Sequence, residues 1–186
     1  MSLTYTDLRP GVFFRMDGDL YETISTTVSK KSRQKGSAQA RLKHLTSGAV
    51  VSKTVRPSDR LEEVSLTKKT YIFIYQKGGE AVIHPEGVPS DRITVPVSGD
   101  GYRLIPSGQT ITALLDGDDV VSLMLPIKVV VSVTDAPPSI RGNTTQGGSK
   151  RVTVETGASV TVPLFIEAGD RIVVKPAEGT YIERAR

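Results

Sequence analysis

The sequence predicts an all-β protein assembled from small barrels or sandwiches. Short runs rich in β-branched residues, such as residues 20–28, are separated by turn signals such as Asp17-Gly18-Asp19 and Gly78-Gly79. A sustained helical stripe with apolar residues at i, i+3 and i+4 is absent, because Gly, Pro, Thr and Val interrupt each candidate. One short helical turn is expected near residues 89–92, with Ser90 as its cap.

Shifts in composition and charge divide the chain into three predicted segments, residues 1–64, 65–127 and 128–186. Their formal charges are +4 (eleven Lys or Arg against seven Asp or Glu), −2 (five against seven) and +2 (eight against six), which sum to +4. A positive, negative, positive order favours contact with a polyanion at the two ends of the chain.

Strands are predicted in all three segments from period-2 alternation, β-branched content and flanking turn residues. In the first segment they are residues 12–16, 20–28, 38–45 and 49–56. In the second they are residues 65–75, 81–84, 102–105, 110–115 and 120–125. In the third they are residues 127–134, 151–155, 159–163, 171–175 and 181–183. Five strands in each of the last two segments fit tandem OB-type barrels, although periodicity alone leaves other small barrels open.

A polar, Gly-containing stretch between residues 20–28 and 38–45 predicts the tip of a hairpin. Gly36 is expected in a tight turn there, which would leave Lys35 as the most projecting side chain. Residues 29–43 are called the arm. Charge of one sign costs self-repulsion unless a polyanion compensates it, so the arm is predicted to face something anionic, with a merely solvated arm as the alternative. The arm has six cationic side chains and no acidic one: Lys30, Lys31, Arg33, Lys35, Arg41 and Lys43.

Other functional classes find little support in the composition. The absence of Cys excludes disulfides, thiol catalysis and cysteine metal sites, and suits a reducing cytoplasm. No apolar run approaches the roughly 18 residues of a membrane span, and the N-terminus lacks a signal-peptide layout, so the cytoplasm is expected and a membrane partner is not. His44 and His84 have no metal-spaced partner, and residues 116–119 are interpreted as a hairpin turn rather than a calcium loop. Neither an enzyme activity nor a cofactor is expected.

Two stretches resemble the bacterial elongation factor P family. Residues 35–43, which read KGSAQARLK, and the following LTSG and VSKTV are similar to the first-domain text KGQAFARVK, LLTG and VEKTF of that family. Residues 151–170, with Gly157, Val162-Pro163 and Gly169 at fixed offsets, are similar to its C-terminal signature. The resemblance covers the first and third segments well and the middle segment poorly.

The resemblance implies a KOW-like or SH3-like N-terminal β domain followed by two OB-fold barrels, in an L-shaped arrangement that mimics transfer RNA. It implies a monomeric translation factor that binds the ribosome beside peptidyl-tRNA and relieves stalling at consecutive prolines. Lys35 takes the position of the family's modified residue, facing the CCA end of the tRNA, so a Lys-modifying enzyme is a further implied partner. The loop that the resemblance places near the E-site codon of messenger RNA contains Arg141, Gly142, Asn143 and Thr144.

The chain departs from the family at two places. Its tip lacks the Pro and the first Gly of the common text Lys-Pro-Gly-Lys-Gly, which leaves the identity of a modifying enzyme open. Asn143 stands where many members have Asp, and an amide donates hydrogen bonds where a carboxylate only accepts them. Two alternatives remain: a paralogue with different client messages, and a stand-alone single-strand-binding barrel. The six Tyr and four Phe are few for the latter, which stacks bases on exposed aromatic rings.

Overall fold

The computed structural model describes residues 2–29, 36–138 and 148–185 of the chain. Those residues form sixteen strands and one short 3-10 helix, so the all-β prediction is confirmed. In the same part of the chain, no helix is long and apolar enough to cross a membrane.

The first sheet is six-stranded, in the order β1-β6-β2-β3-β4-β5. Its strands are β1 (Ser2–Leu3), β2 (Phe13–Met16), β3 (Asp19–Ser29), β4 (Ser37–His44), β5 (Val50–Val55) and β6 (Leu61–Glu63). Alternate residues of β4 are buried, and they pack with Phe14, Tyr21 and Leu61 into the core of this sheet. This period-2 burial leaves the intervening residues of β4 on the opposite face of the sheet.

The second sheet is five-stranded, in the order β11-β10-β7-β8-β9. Its strands are β7 (Thr67–Lys77), β8 (Glu80–Pro85), β9 (Ile93–Pro96), β10 (Thr110–Asp116) and β11 (Asp119–Met124). The 3-10 helix Asp100–Leu104 lies between β9 and β10 in the chain. The predicted turn at residues 116–119 is confirmed, since Gly117 with φ +63° joins β10 to β11.

The third element is a closed barrel in the order β12-β13-β14-β16-β15, in which β14 and β16 pair in parallel. Its strands are β12 (Val129–Asp135), β13 (Ser149–Val154), β14 (Ser159–Pro163), β15 (Arg171–Lys175) and β16 (Thr180–Arg184). If β12 to β16 are numbered 1 to 5, the order around the barrel is 1-2-3-5-4, and strand 4 pairs again with strand 1. This is the Greek-key order of an OB fold. If β7 to β11 are numbered 1 to 5 in the same way, the second sheet has the same order and is open between β9 and β11.

Two local predictions in the middle of the chain are wrong. Residues 102–105 do not form a strand: Tyr102 and Leu104 enter the core from the 3-10 helix, and the Tyr102 hydroxyl donates a 2.7 Å hydrogen bond to the Leu123 carbonyl. Residues 89–92 do not form a helical turn, because Val88 and Asp91 close two successive tight turns through their backbone N–H groups. The apolar pattern of residues 102–105 suits more than one local structure, and the Pro, Ser and Asp of residues 89–92 are as typical of tight turns as of helix starts.

The chain forms two compact units, and the second sheet contributes residues to both. The first unit is Met1–Lys69 with Pro96–Ser98 and Leu114–Ser122, and the second is Thr70–Val95 with Gly99–Ala113 and Leu123–Arg186. Within the first unit, Leu114 packs with Leu20 and Leu45, and Ser122 donates its hydroxyl hydrogen to the Leu45 carbonyl at 2.9 Å. The boundaries at residues 64 and 127 stay a prediction.

Candidate nucleic-acid interface

The predicted basic hairpin is formed by β3 and β4. Their antiparallel register runs from Tyr21 opposite His44 to Ser29 opposite Ser37, with a bulge at Ile24. Ser29 and Ser37 are the last described residues that pair in this hairpin. The segment that connects these two serines holds most of the predicted cations, and four of them lie outside the described residues: Lys30, Lys31, Arg33 and Lys35.

Two of the predicted cations lie on the outward face of β4. Arg41 is exposed and Lys43 is half-buried, and they alternate with the buried residues Ala40 and Leu42. Within residues 2–29, 36–138 and 148–185, neither cation has an ion-pair partner closer than 4 Å. Both charges are therefore available to an external anion.

Exposed hydroxyl and amide groups surround Arg41 on this face. Ser25 of β3 and Ser52 of β5 lie directly opposite Arg41 on its two sides. The next row along the strands has the same form, with Gln39 between two threonines, Thr27 and Thr54, and all the members of both rows are exposed. Such side chains donate hydrogen bonds to phosphate and sugar oxygens. These rows were not predicted from the sequence, although the polar positions of the alternating strands are their signal.

On the core-facing side of the same sheet, Lys53 lies against an aromatic cluster. Its Nζ lies 3.2 Å from the Tyr21 hydroxyl and 4.8 Å from the centroid of the Tyr21 ring. The Tyr21 ring stacks on Phe14 and meets His44 edge-on. The Nδ1 atom of His44 accepts a hydrogen bond from the Ser47 N–H, so the proton of the neutral ring is on Nε2, 3.4 Å from Asp19 Oδ1. His44 thus packs against Tyr21 and joins the turn at Ser47 to the sheet.

Gly36 lies close to the ring of Tyr5, and its φ is outside the left-handed region. The expected tight turn stays a prediction, because the residues that would form it with Gly36 lie outside the described part of the chain. A Cβ atom at Gly36 would lie 2.5 Å from the Tyr5 hydroxyl oxygen and 3.2 Å from Cζ of the same ring. A side chain at this position would displace the end of the tyrosine side chain.

The second predicted loop leaves the barrel after β12 and returns at β13. Arg141, Gly142, Asn143 and Thr144 lie outside the described residues. Where the chain returns, a Cβ atom at Gly148 would lie 2.6 Å from Leu164 Cδ1. Before the loop, the Pro137 carbonyl accepts a 3.1 Å hydrogen bond from Lys150 Nζ. Phe165, on the turn after β14, is 62% exposed.

The second unit contains an open cavity of about 1100 Å³. Its lining combines acidic Asp100, Glu155 and Glu178 with basic Arg103 and Arg151. Asp100 and Arg103 are ion-paired with each other at 3.5 Å. Because the lining of the cavity has both acidic and basic side chains, it favours neither an anionic nor a cationic ligand. Among the described residues, no cluster of three or more His, Asp or Glu side chains could hold a metal ion.

Two titratable groups are shifted by their surroundings. Burial raises the pKa of Tyr102 to about 12. Hydrogen bonds from the Thr4 side chain and backbone hold the pKa of the Asp7 carboxyl below its usual value.

The fold and the cationic hairpin together define a class, that of modular β proteins with a KOW-like first domain and an OB-type barrel. A family model described as the elongation factor P (EF-P) KOW-like domain matches residues 4–61, and one described as elongation factor P, C-terminal, matches residues 129–184. The chain belongs to the elongation factor P family, and its role is that of a translation elongation factor.

The relatives are similar over nearly the full chain. Elongation factor P of Gloeothece citriformis is 31% identical over 183 residues, covering 98% of this chain and 99% of that protein. Elongation factor P of Nostoc punctiforme is 34% identical with the same coverage. Among solved structures, eukaryotic translation initiation factor 5A from Methanococcus jannaschii is similar at 11% identity and a TM-score of 0.42, covering 67% of this chain and 96% of that one. This structural similarity is too low to bear on function.

Proposed function

We propose that this factor binds the ribosome beside peptidyl-tRNA and promotes peptide-bond formation at consecutive prolines. The observation that carries the proposal is the β3–β4 hairpin, whose paired strands bring both ends of a one-signed cationic tip together at Ser29 and Ser37. The chain belongs to a family of translation elongation factors, and such a tip would meet RNA on the ribosome.

The hairpin is long and stiff enough to present its tip to a tRNA. The eight residues of β4 extend about 26 Å at roughly 3.3 Å per residue. β5 pairs with β4 from Lys43 to Ala38, so the arm is three-stranded almost to its end. A three-stranded sheet bends less than an isolated two-stranded hairpin, so it holds the tip in a more constant direction. Ala38 and Val55 are the last residues that pair between β4 and β5. The tip begins two residues beyond Ala38.

The tip acts by positioning. Proline is a poor substrate for peptide-bond formation because its ring fixes φ and constrains the nascent backbone. Lys35, as a free ammonium group or with a covalent addition made by a Lys-modifying enzyme, holds the CCA end of the peptidyl-tRNA in place. Holding the reacting groups in one geometry lowers the entropic part of the barrier without any acid, base or nucleophile from the factor. On this mechanism the factor is not an enzyme and needs no cofactor.

The rest of the arm contributes binding. Arg41, Lys43 and the hydroxyl rows beside them contact phosphate and sugar groups, and Lys30, Lys31 and Arg33 add charge nearer the tip. The loop that contains Arg141, Gly142, Asn143 and Thr144 contacts the messenger RNA at the E-site codon. The factor acts as a monomer in the cytoplasm.

Two alternatives are separated from this proposal by different observations. A paralogue with other client messages has the same fold and tip, so a panel of messages distinguishes it. A stand-alone single-strand-binding protein stacks bases on exposed aromatic rings. All ten aromatic residues of the chain are described, and Tyr75 and Phe165 are the two that are exposed. The scarcity of exposed rings favours the ribosomal function.

The test is the rate of peptide-bond formation on ribosomes of the source organism, with a Pro-Pro-Pro message and a proline-free message run in parallel. The factor is expected to accelerate the first reaction and to leave the second unchanged. Equal rates with and without saturating factor on the Pro-Pro-Pro message would refute the proposal. Acceleration of other stalled messages alone would identify the paralogue.

A further inference from the structure

We propose that the open cavity of the second unit binds one unpaired nucleotide of an RNA, with the base against the Tyr75 ring and the phosphate at the Arg151 guanidinium. The residues that carry this inference all belong to the described part of the chain and line the cavity within one compact unit. The site is separate from the arm, and it does not depend on the proposed action of the hairpin tip.

Most of the charged groups around the cavity are already held by a neighbour. The held groups are Asp100 with Arg103 at 3.5 Å, Glu178 with Lys175 at 3.4 Å, and Glu155 with the Ser132 N–H at 2.9 Å. Arg151 is exposed, and among the described residues no carboxylate lies within 4 Å of its guanidinium group. The lining therefore does not select a ligand by net charge, but it leaves one guanidinium group free, and such groups bind phosphate through two parallel hydrogen bonds.

Tyr75 offers an accessible aromatic ring to the cavity. A β-bulge at Ile74 shifts the register of β7 against β8. Phe73, before the bulge, is buried, whereas Tyr75, after it, is 49% exposed. Bulges commonly re-aim a side chain beside a functional site. An unpaired base stacks on such a ring in RNA recognition, and a single ring accommodates a single base rather than a tract.

The cavity lies where OB-type barrels bind oligonucleotides. These barrels bind on the face of their second and third strands and at loops that include the one between the fourth and fifth strands. In the closed barrel these elements are β13, β14 and the loop of residues 176–179. Arg151 of β13, Ser159 of β14 and Glu178 of the loop all line the cavity. The place of the cavity in the fold therefore favours a nucleic-acid ligand.

A close backbone contact holds two parts of the lining together. A Cβ atom at Gly101, in the 3-10 helix, would lie 2.6 Å from the Pro176 carbonyl oxygen and 3.0 Å from the carbonyl carbon. The helix and the loop of residues 176–179 thus meet backbone to backbone, where no side-chain rotation can make room. The cavity of about 1100 Å³ is large enough for a ligand of nucleotide size.

The test is a titration of the free protein with a hexa-adenosine RNA, followed by NMR of the backbone amides. The amide signals of residues 74–76 and 155–159 are expected to shift with a common dissociation constant. The arm also offers cations to this RNA, so Arg41→Ala is titrated in parallel. That change should leave the constant measured at the cavity within about threefold, because Arg41 does not line it.

Tyr75→Ala is expected to weaken binding at the cavity about tenfold or more, whereas Tyr75→Phe keeps the ring and should stay within about threefold. Arg151→Gln should weaken binding and make the slope of log K against log salt shallower by about 0.7. The matched controls are Phe165→Ala, at the other exposed aromatic residue, and Arg171→Gln, at an exposed cation of the same barrel that does not line the cavity. Both controls should stay within about twofold.

Three results would overturn the proposal. The first is a set of shifts confined to the signals of the arm. The second is equal weakening by Tyr75→Ala and Phe165→Ala, which would show that the RNA does not use the cavity ring. The third is saturation of the cavity signals by an acidic peptide and not by the RNA, which would assign the site to a protein partner. Each result is obtained on the free protein, so it is independent of whether the factor accelerates any message on the ribosome.

Discussion

The ammonium group of Lys53 lies over the face of the Tyr21 ring, with Nζ 4.8 Å from the ring centroid and 3.2 Å from the phenolic oxygen. The ring is buried at the base of the β3–β4 hairpin, where β3, β4 and β5 meet. A cation on the inner face of a sheet lowers stability unless neighbouring groups interact with its charge. Here the quadrupole of the Tyr21 ring and the hydrogen bond to its hydroxyl supply that interaction.

Replacing Lys53 with Met is therefore expected to destabilise the protein by about 1–2 kcal/mol, from the lost cation–π contact and the lost hydrogen bond. Chemical denaturation at neutral pH measures the change. Lys77→Met, at an exposed position on β7, is the matched control and should stay within about 0.5 kcal/mol. Equal effects of the two changes would show that the contact with Tyr21 contributes nothing.

Tyr102 is expected to give the protein an alkaline stability limit. Burial raises its pKa from 10.0 to about 12, so the folded state favours the neutral phenol. The stabilisation is fully present below pH 10 and is lost as the pH rises through 12, and a shift of this size corresponds to roughly 2–3 kcal/mol. The stability of the parent should fall relative to that of Tyr102→Phe over this range, because phenylalanine has no ionisable group, whereas the hydrogen bond to Leu123 that the variant lacks is a difference already present at lower pH. Parallel curves would contradict the assignment.

Lys35 is expected to tolerate neither Arg nor Ala. If the arm supplied only a positive field, Lys35→Arg would be active and Lys31→Ala would cost as much as Lys35→Ala. If Lys35 is the contacting or modified residue, both of its substitutions abolish acceleration at the Pro-Pro-Pro message, because a planar guanidinium neither takes the same acyl addition nor lies in the same place. Ribosome affinity should fall no more than about tenfold, equivalent to about 1.4 kcal/mol.

Intact-mass measurement of the protein purified from its own host determines whether Lys35 is modified. The rates are compared at saturating factor, with Lys31→Ala as the control variant. Full activity of Lys35→Arg would refute the placement of Lys35 at the functional tip and leave Arg33 as the candidate.

Ribosome binding is expected to weaken with salt. If four to six arm cations each meet a phosphate, log K falls against log salt with a slope of about −3 to −4. Arg41→Ala should make the slope shallower by about 0.7, because it removes one of the described outward charges. Lys77→Ala serves as the control outside the arm. A slope near zero for the parent would exclude phosphate contacts by the arm.

Arg141→Ala and Asn143→Ala are expected to reduce activity on the ribosome while leaving thermal stability within about 0.5 kcal/mol, since polar side chains of such loops are seldom part of a core. Thermal unfolding and the Pro-Pro-Pro rate are measured on the same preparations. Large unfolding of either variant would show instead that the loop is structural.

The sequence by itself determined most of the strands and the turns that join them. A turn depends on local backbone conformation, so its residues are sufficient to identify it. Asp17 and Gly18 adopt positive φ between β2 and β3, and Gly78 and Gly79 do so between β7 and β8, as their residue types predict. The KGSAQARLK text likewise identified the arm, because alternation and charge are properties of consecutive residues.

The tertiary structure decided which distant residues meet. β1 and β6 are two and three residues long, and they are strands because β6 pairs with β1 on one side and with β2 on the other. Arg15 reaches Asp116 at 2.9 Å across 101 positions of the chain. Gly36 lies against the Tyr5 ring, a contact that no local pattern predicts. A sequence pattern records that a residue is buried or polar, but it does not record its partner, since partners depend on how separate elements pack.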